Sequence, residues 1–148
     1  MRTGPRPRSI IFTADGATGF VTNENSGTLT VIDPKTHKVR GTIVVPPTAG
    51  TPAAPRPMGG VLSLDGTQMF VSLGRAGTVA VVDVASRKVA RTIEGVGRRP
   101  WGIGLSKNGR KLYTANGPAG DVSVVDIASG KVDRRIETGG SPWGIAVK

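Results

Sequence analysis

Arg99-Pro100-Trp101-Gly102-Ile103-Gly104-Leu105 is the stretch that decides how the rest of the chain is read. It returns as Arg6-Pro7-Arg8-Ser9-Ile10-Ile11-Phe12, as Arg56-Pro57-Met58-Gly59-Gly60-Val61-Leu62 and as Ser141-Pro142-Trp143-Gly144-Ile145-Ala146-Val147. Pro7, Pro57, Pro100 and Pro142 are separated by 50, 43 and 42 residues. Self-similarity at such a period marks a repeat architecture. The longer first interval holds one insertion, residues 46–55, with four prolines. It is expected to be an exposed excursion between the first two units.

The landmarks inside each unit keep register. A turn follows first, at Ala14-Asp15-Gly16, Leu64-Asp65-Gly66 and Lys107-Asn108-Gly109. Asp-Gly and Asn-Gly pairs tolerate the positive φ of tight hairpins. An aromatic strand comes next, led by Phe20, Phe70 and Tyr113, and thirteen residues after each aromatic stands Asp33, Asp83 or Asp126. The residues before each Asp alternate, as in Thr28-Leu29-Thr30-Val31-Ile32, with the period of a half-buried strand. A fourth strand starts at Lys38, Lys88 and Lys131. No stretch of helix length shows a 3.6-residue apolar period. Four short antiparallel strands per unit, repeated, describe an all-β protein built as a β-propeller segment. The expected organisation is one domain, 1–148, with blades at 6–44, 56–94 and 99–137 and an extra first strand at 142–147.

Phe20-Val21-Thr22-Asn23 and Tyr113-Thr114-Ala115-Asn116 resemble the signature of the YVTN family of β-propeller repeats. Arg99 to Ile103 and Ser141 to Ile145 are similar to the members associated with pyrroloquinoline-quinone-dependent catabolism. The resemblance implies a non-enzymatic binding or scaffolding role, accessory to quinoprotein metabolism, in the periplasm or outside the cell. The middle unit departs from the signature, with Leu73 for Asn and Arg87 for the glycine found at 130. Related propellers that bind haem d1 or act as sugar lactonases supply an alternative. Haem would need an axial histidine on the channel face, whereas His37 is expected at the opposite one.

Composition narrows the chemistry. Of 148 residues, 22 are Gly and 11 Pro, too many for a helical bundle. Cysteine is absent, which excludes disulfides and thiolate ligands, and the one histidine makes a protein-built metal site an unpromising reading. No catalytic residue and no cofactor motif is recognised, and the glycine-rich stretches do not open a helix as a phosphate loop would. Lys and Arg number 20 against 10 Asp and Glu, giving a net charge of +10. Such a field attracts an acidic protein, a small anion or nucleic acid. With aromatics at 4%, stacking platforms for bases are scarce. No apolar run is long enough to cross a membrane as a helix.

Inner strands of a propeller line its channel. Arg6, Arg8, Arg56, Arg98 and Arg99 would then ring one channel mouth, with Trp101 and Trp143 just inside and Arg75, Asn23, Asn25 and Asn116 on neighbouring loops. Arg offers paired donors to a carboxylate and Trp a stacking face, which suits a planar anion or an acidic loop. The alternatives are Trp packing between blades and solvated arginines. Asp33, Asp83 and Asp126 are expected to be turn acceptors, and Lys38, Arg40, Lys88, Arg91, Lys131, Arg134 and Arg135 to keep the rim strands from pairing. Three blades do not close a ring, so another propeller-forming chain, a second copy or an N-terminal part, is expected to complete it.

Overall fold

A computed structural model describes all 148 residues and contains twelve strands in three four-stranded sheets. The first sheet is β1 (Pro7–Phe12), β2 (Gly19–Asn23), β3 (Thr28–Asp33) and β4 (Lys38–Val44); the second is β5 (Gly60–Leu62), β6 (Gln68–Ser72), β7 (Val79–Asp83) and β8 (Lys88–Ile93). The third is β9 (Pro100–Leu105), β10 (Lys111–Asn116), β11 (Asp121–Asp126) and β12 (Lys131–Glu137). Every pairing is antiparallel between sequence neighbours. The only helical pieces are single 3-10 turns at Gly74–Ala76 and Gly117–Ala119. The arc of three sheets is open.

Turn chemistry sets the blades. Asp15 accepts the Ala17 amide at 2.9 Å and Asp65 the Thr67 amide at 3.1 Å, while Asn108 does the same for Arg110 at 3.1 Å. In the β3–β4 turn and its counterparts, Asp33 accepts from the Lys35 amide at 2.8 Å, Asp83 from Ser86 at 2.6 Å and Asp126 from Ser129 at 2.8 Å. The repeated aspartates are turn acceptors. The same turns need one left-handed residue, occupied by His37 (φ 55°), Arg87 (φ 57°) and Gly130 (φ 68°). The middle unit therefore keeps the glycine's conformation without the glycine.

The core lies between blades. Phe20, Leu29, Val31 and Ile43 of the first sheet meet Met69, Val71, Ala80 and Val82 of the second. Phe70, Val79, Val81 and Ile93 of the second meet Ile103, Leu112 and Val125 of the third. Alternation puts one row of each strand toward the preceding blade and the other toward the next.

Two hydroxyls also tie the joints. The Ser9 amide donates to Thr22 Oγ1 at 3.0 Å, and that hydroxyl donates onward to the Met58 carbonyl at 2.7 Å. Ser72 repeats this, taking the Gly59 amide at 3.0 Å and donating to the Trp101 carbonyl at 2.7 Å. Ala115 stands at the third equivalent position and donates nothing.

Three expectations change. Residues 142–147 form no strand. A first strand pairs only with the second strand of its own blade, and none follows here. Asn23 and Asn116 are buried at the ends of β2 and β10 rather than displayed on loops. Asn23 donates to Thr28 and Thr30, while Asn116 donates to Asp121, Ser123 and the Val96 carbonyl. In the middle blade, Leu73 and Ala80 replace this network with apolar contacts, which leaves the buried Thr78 hydroxyl without a partner. The insertion is exposed for most of its length, yet Thr48 and Pro55 are buried and pin it to the protein.

Candidate functional site

Antiparallel meanders place the β1–β2 and β3–β4 turns at one end of each blade. The β2–β3 loops and the links between blades lie at the other end. At that second end the inner strands converge on a cleft of about 330 Å³ lined by Pro7, Arg8, Met58, Trp101 and Trp143 with Gly59, Gly102 and Gly144. Arg8, Met58, Trp101 and Trp143 occupy the same position of the four aligned repeats. One sequence position, used four times, builds the wall.

The position four residues after each second-strand aromatic lies against three of these four side chains, Arg8, Met58 and Trp101. Glu24, Gly74 and Gly117 are equivalent. Glu24 Oε2 lies 3.0 Å from Arg6 Nε and 3.5 Å from Arg8 Nε. A Cβ at Gly74 would approach Met58 Cγ to 3.3 Å, and a Cβ at Gly117 would fall 2.1 Å from the Trp101 ring. Glycine at 117 is thus what lets the indole lie flat on its own blade.

The indoles of Trp101 and Trp143 are 4.4 Å apart between centroids, tilted by 52°. The Arg8 guanidinium sits 5.1 Å from the Trp143 ring centre and that of Arg99 5.7 Å from the Trp101 ring centre. Two cations therefore stand over two aromatic faces, a favourable arrangement worth about 0.5–2 kcal/mol per pair according to desolvation. Arg6 and Arg99 both precede proline in the left-handed region, at φ 57° and 54°. That conformation is unusual for a non-glycine residue, and backbone strain of this kind clusters at functional sites. Arg99 Nε is buried without a hydrogen-bond partner. Glu24 is the one carboxylate shared by Arg6 and Arg8, so the mouth keeps excess positive charge.

Other expected members of the Arg ring lie apart. Arg56 turns to Asn25, donating from Nη1 at 2.8 Å. Arg75 and Arg98 are exposed and are not among the residues that line the cleft. Some rim charges also have local duties that the sequence reading missed. Arg40 pairs with Asp33, Arg91 donates to the Ile127 carbonyl at 2.7 Å, and Arg135 donates to Ser123 at 2.9 Å and to the Gly95 carbonyl at 3.0 Å. The Arg40 hydrogen bond, helped by the turn amides, holds the Asp33 carboxyl well below the usual carboxylate range. Lys111 does the same for Asp126, and its own ammonium is pushed up in return. Met58 carries no charge signal, but it could have been found from its alignment with Arg8 and Trp101.

No family model matches the chain, and no curated protein does. Solved structures do match. The hydrazine synthase of Kuenenia stuttgartiensis superposes over 97% of this chain and 39% of its own, at TM-score 0.82 and 27% identity. The periplasmic gluconolactonase of Pseudomonas aeruginosa does so over 97% and 43%, at TM-score 0.77 and 27% identity. The fold is that of a partial β-propeller. A Lactobacillus plantarum protein shares that fold at TM-score 0.78 and 24% identity, over 97% of this chain and 45% of its own. The propeller segment thus spans less than half the length of the structures it resembles.

His37 lies in the β3–β4 turn, at the end away from the cleft. His37 is therefore not placed to ligate a group bound at the channel mouth. No three His, Cys, Asp or Glu side chains gather anywhere in the segment.

Proposed function

We propose that this segment is a binding and scaffolding part of a propeller, completed by another chain or by further sequence, and that its channel mouth holds a planar anion or an acidic loop. The observation that carries this reading is the cluster of Arg8, Arg99, Trp101 and Trp143, two guanidiniums over two tilted indoles beside one cleft. The unpartnered Arg99 Nε–H adds a donor that an incoming oxygen would satisfy, and leaving a buried donor unmade costs about 1–3 kcal/mol. Periplasmic quinoprotein metabolism is the setting to which the resemblance of Arg99–Ile103 and Ser141–Ile145 points, and cell fractionation tests the compartment.

The chain has two tryptophans and both line the cleft, so selectively excited tryptophan fluorescence reports on this site alone. Titration with a naphthalene dicarboxylate should change the emission saturably, and naphthalenediol should not. Arg8→Ala should weaken the dianion about tenfold, or about 1.4 kcal/mol. Equal binding of the neutral compound would count against the reading. The similarity to the gluconolactonase favours a second reading, an enzymatic segment acting on a sugar lactone. Hydrolysis of gluconolactone faster than in buffer, abolished by heat denaturation, would select it.

A further inference from the structure

We propose that the arginines of the loops around the cleft form one track, which binds an extended acidic segment of a partner protein. The two ends of the blades differ in the cations they use. Six of the seven lysines, Lys35, Lys38, Lys88, Lys107, Lys111 and Lys131, stand in the β1–β2 and β3–β4 turns and their counterparts or on the strand residue that follows. No lysine stands in the β2–β3 loop, in its counterparts or in the stretches that lead into β1, β5 and β9. Arginine takes their place, at Arg6, Arg56, Arg75, Arg98 and Arg99, with Arg8 at the second position of β1. A guanidinium offers a carboxylate two parallel donors, where an ammonium is a point charge.

The loops touch in order, so the arginines follow one path. Arg6 and Arg8 flank Glu24, and Arg56 donates to Asn25, the next residue, at 2.8 Å. The Arg56 amide donates to the Leu73 carbonyl at 3.1 Å, at the foot of the loop that carries Arg75. A Cβ on Gly77, at the far side of that loop, would lie 2.9 Å from the Gly97 carbonyl oxygen, next to Arg98 and Arg99. Arg75 and Arg98 are exposed, and no ion pair within the protein engages Arg56, Arg75, Arg98 or Arg99.

Few carboxylates oppose this path. The loops after β6 and β10 have none, Glu24 is held between Arg6 and Arg8, and Asp121 accepts from Asn116 at 2.6 Å. Glu94 and Glu137 are the exposed ones at this end. At the opposite end five of the six turns hold an aspartate, Asp15, Asp33, Asp65, Asp83 or Asp126, so the lysines there are interleaved with negative charge. The track's loops carry no aromatic residue, and the two indoles share one cleft. A nucleic-acid track stacks successive bases along its length, so a chain of carboxylates is the better fit. The inference rests on the reading of the channel mouth as an anion site and extends that site outward along the loops.

The probe is dye-labelled octaglutamate, followed by fluorescence anisotropy against the full chain at about 0.15 M salt, where charges more than about 8 Å apart are largely screened. Saturable binding is expected. Arg75→Glu combined with Arg98→Glu should weaken it at least about tenfold, and Lys88→Glu combined with Lys131→Glu, which changes the net charge equally, by less than about twofold. Circular dichroism and melting of each variant check that the blades remain folded. Equal weakening by the two pairs, or no binding of octaglutamate, overturns the proposal. The channel-mouth reading then stands if the naphthalene dicarboxylate still changes tryptophan emission saturably, and falls with the proposal if it does not. A single-stranded oligothymidylate of equal charge that binds more tightly than octaglutamate, through the same two arginines, overturns the acidic partner in favour of nucleic acid.

Discussion

The Thr22 hydroxyl reaches across the joint between the first two blades and donates to the Met58 carbonyl at 2.7 Å. It also accepts the Ser9 amide of its own blade, so one oxygen serves two backbone groups. Thr22→Val would leave both groups buried without a partner while keeping the volume. Stability should fall by about 1–3 kcal/mol, read as a lower urea midpoint with an unchanged slope. Ser72→Ala should act alike at the next joint.

The converse change is available at the third joint. Ala115→Ser supplies the missing hydroxyl opposite the Trp143 carbonyl. Residues 141–148 should then become more resistant to limited proteolysis, with the core melting point unaffected.

Arg87 occupies a left-handed position that Gly130 fills without strain. Arg87→Gly should stabilise by about 0.5–1 kcal/mol, the left-handed penalty less the extra entropy of glycine. Gly130→Arg should cost about as much. Thermal melts of the two variants should shift in opposite directions.

Thr78→Val removes a buried hydroxyl that has no partner and keeps the β-branched shape. Replacing an unsatisfied polar group by an apolar one of the same form should be neutral or stabilising, by up to about 1 kcal/mol. A lower melting temperature would show that the hydroxyl has a partner in solution.

Asp33, Asp65, Asp83 and Asp126 all have carboxyls held below their ordinary value of 3.8. A group depressed in the folded state contributes stability above its unfolded pKa and loses that contribution as pH falls through the folded one. Stability should therefore be level above about pH 5 and decline progressively as acid is added below the ordinary value. Asp33→Asn should flatten part of that decline, because the amide still accepts from the turn while Arg40 loses its ion pair.

The repeat made the blades legible. Phe20, Phe70 and Tyr113 fall on equivalent second strands, and Asp33, Asp83 and Asp126 on equivalent turns, because local hydrogen bonding and alternation fix both. Burial of Asn23 and Asn116 was not legible, since an Asn beside a turn reads as a turn residue until its cross-strand Thr and Ser partners are in place. The approach of Arg8 to Trp143 was legible only as a shared repeat position. These residues lie near opposite ends of the chain, and only the curvature of three stacked blades brings them together.

Because each core cluster lies between two successive blades and none spans all three, the segment behaves as a chain of links. Its stability approximates a sum of blade terms and neighbour terms. The third blade has one joint where the second has two. Under tension applied at Lys148 it should part first, and the remaining blades should follow one at a time, giving a stepped force trace rather than a single rupture.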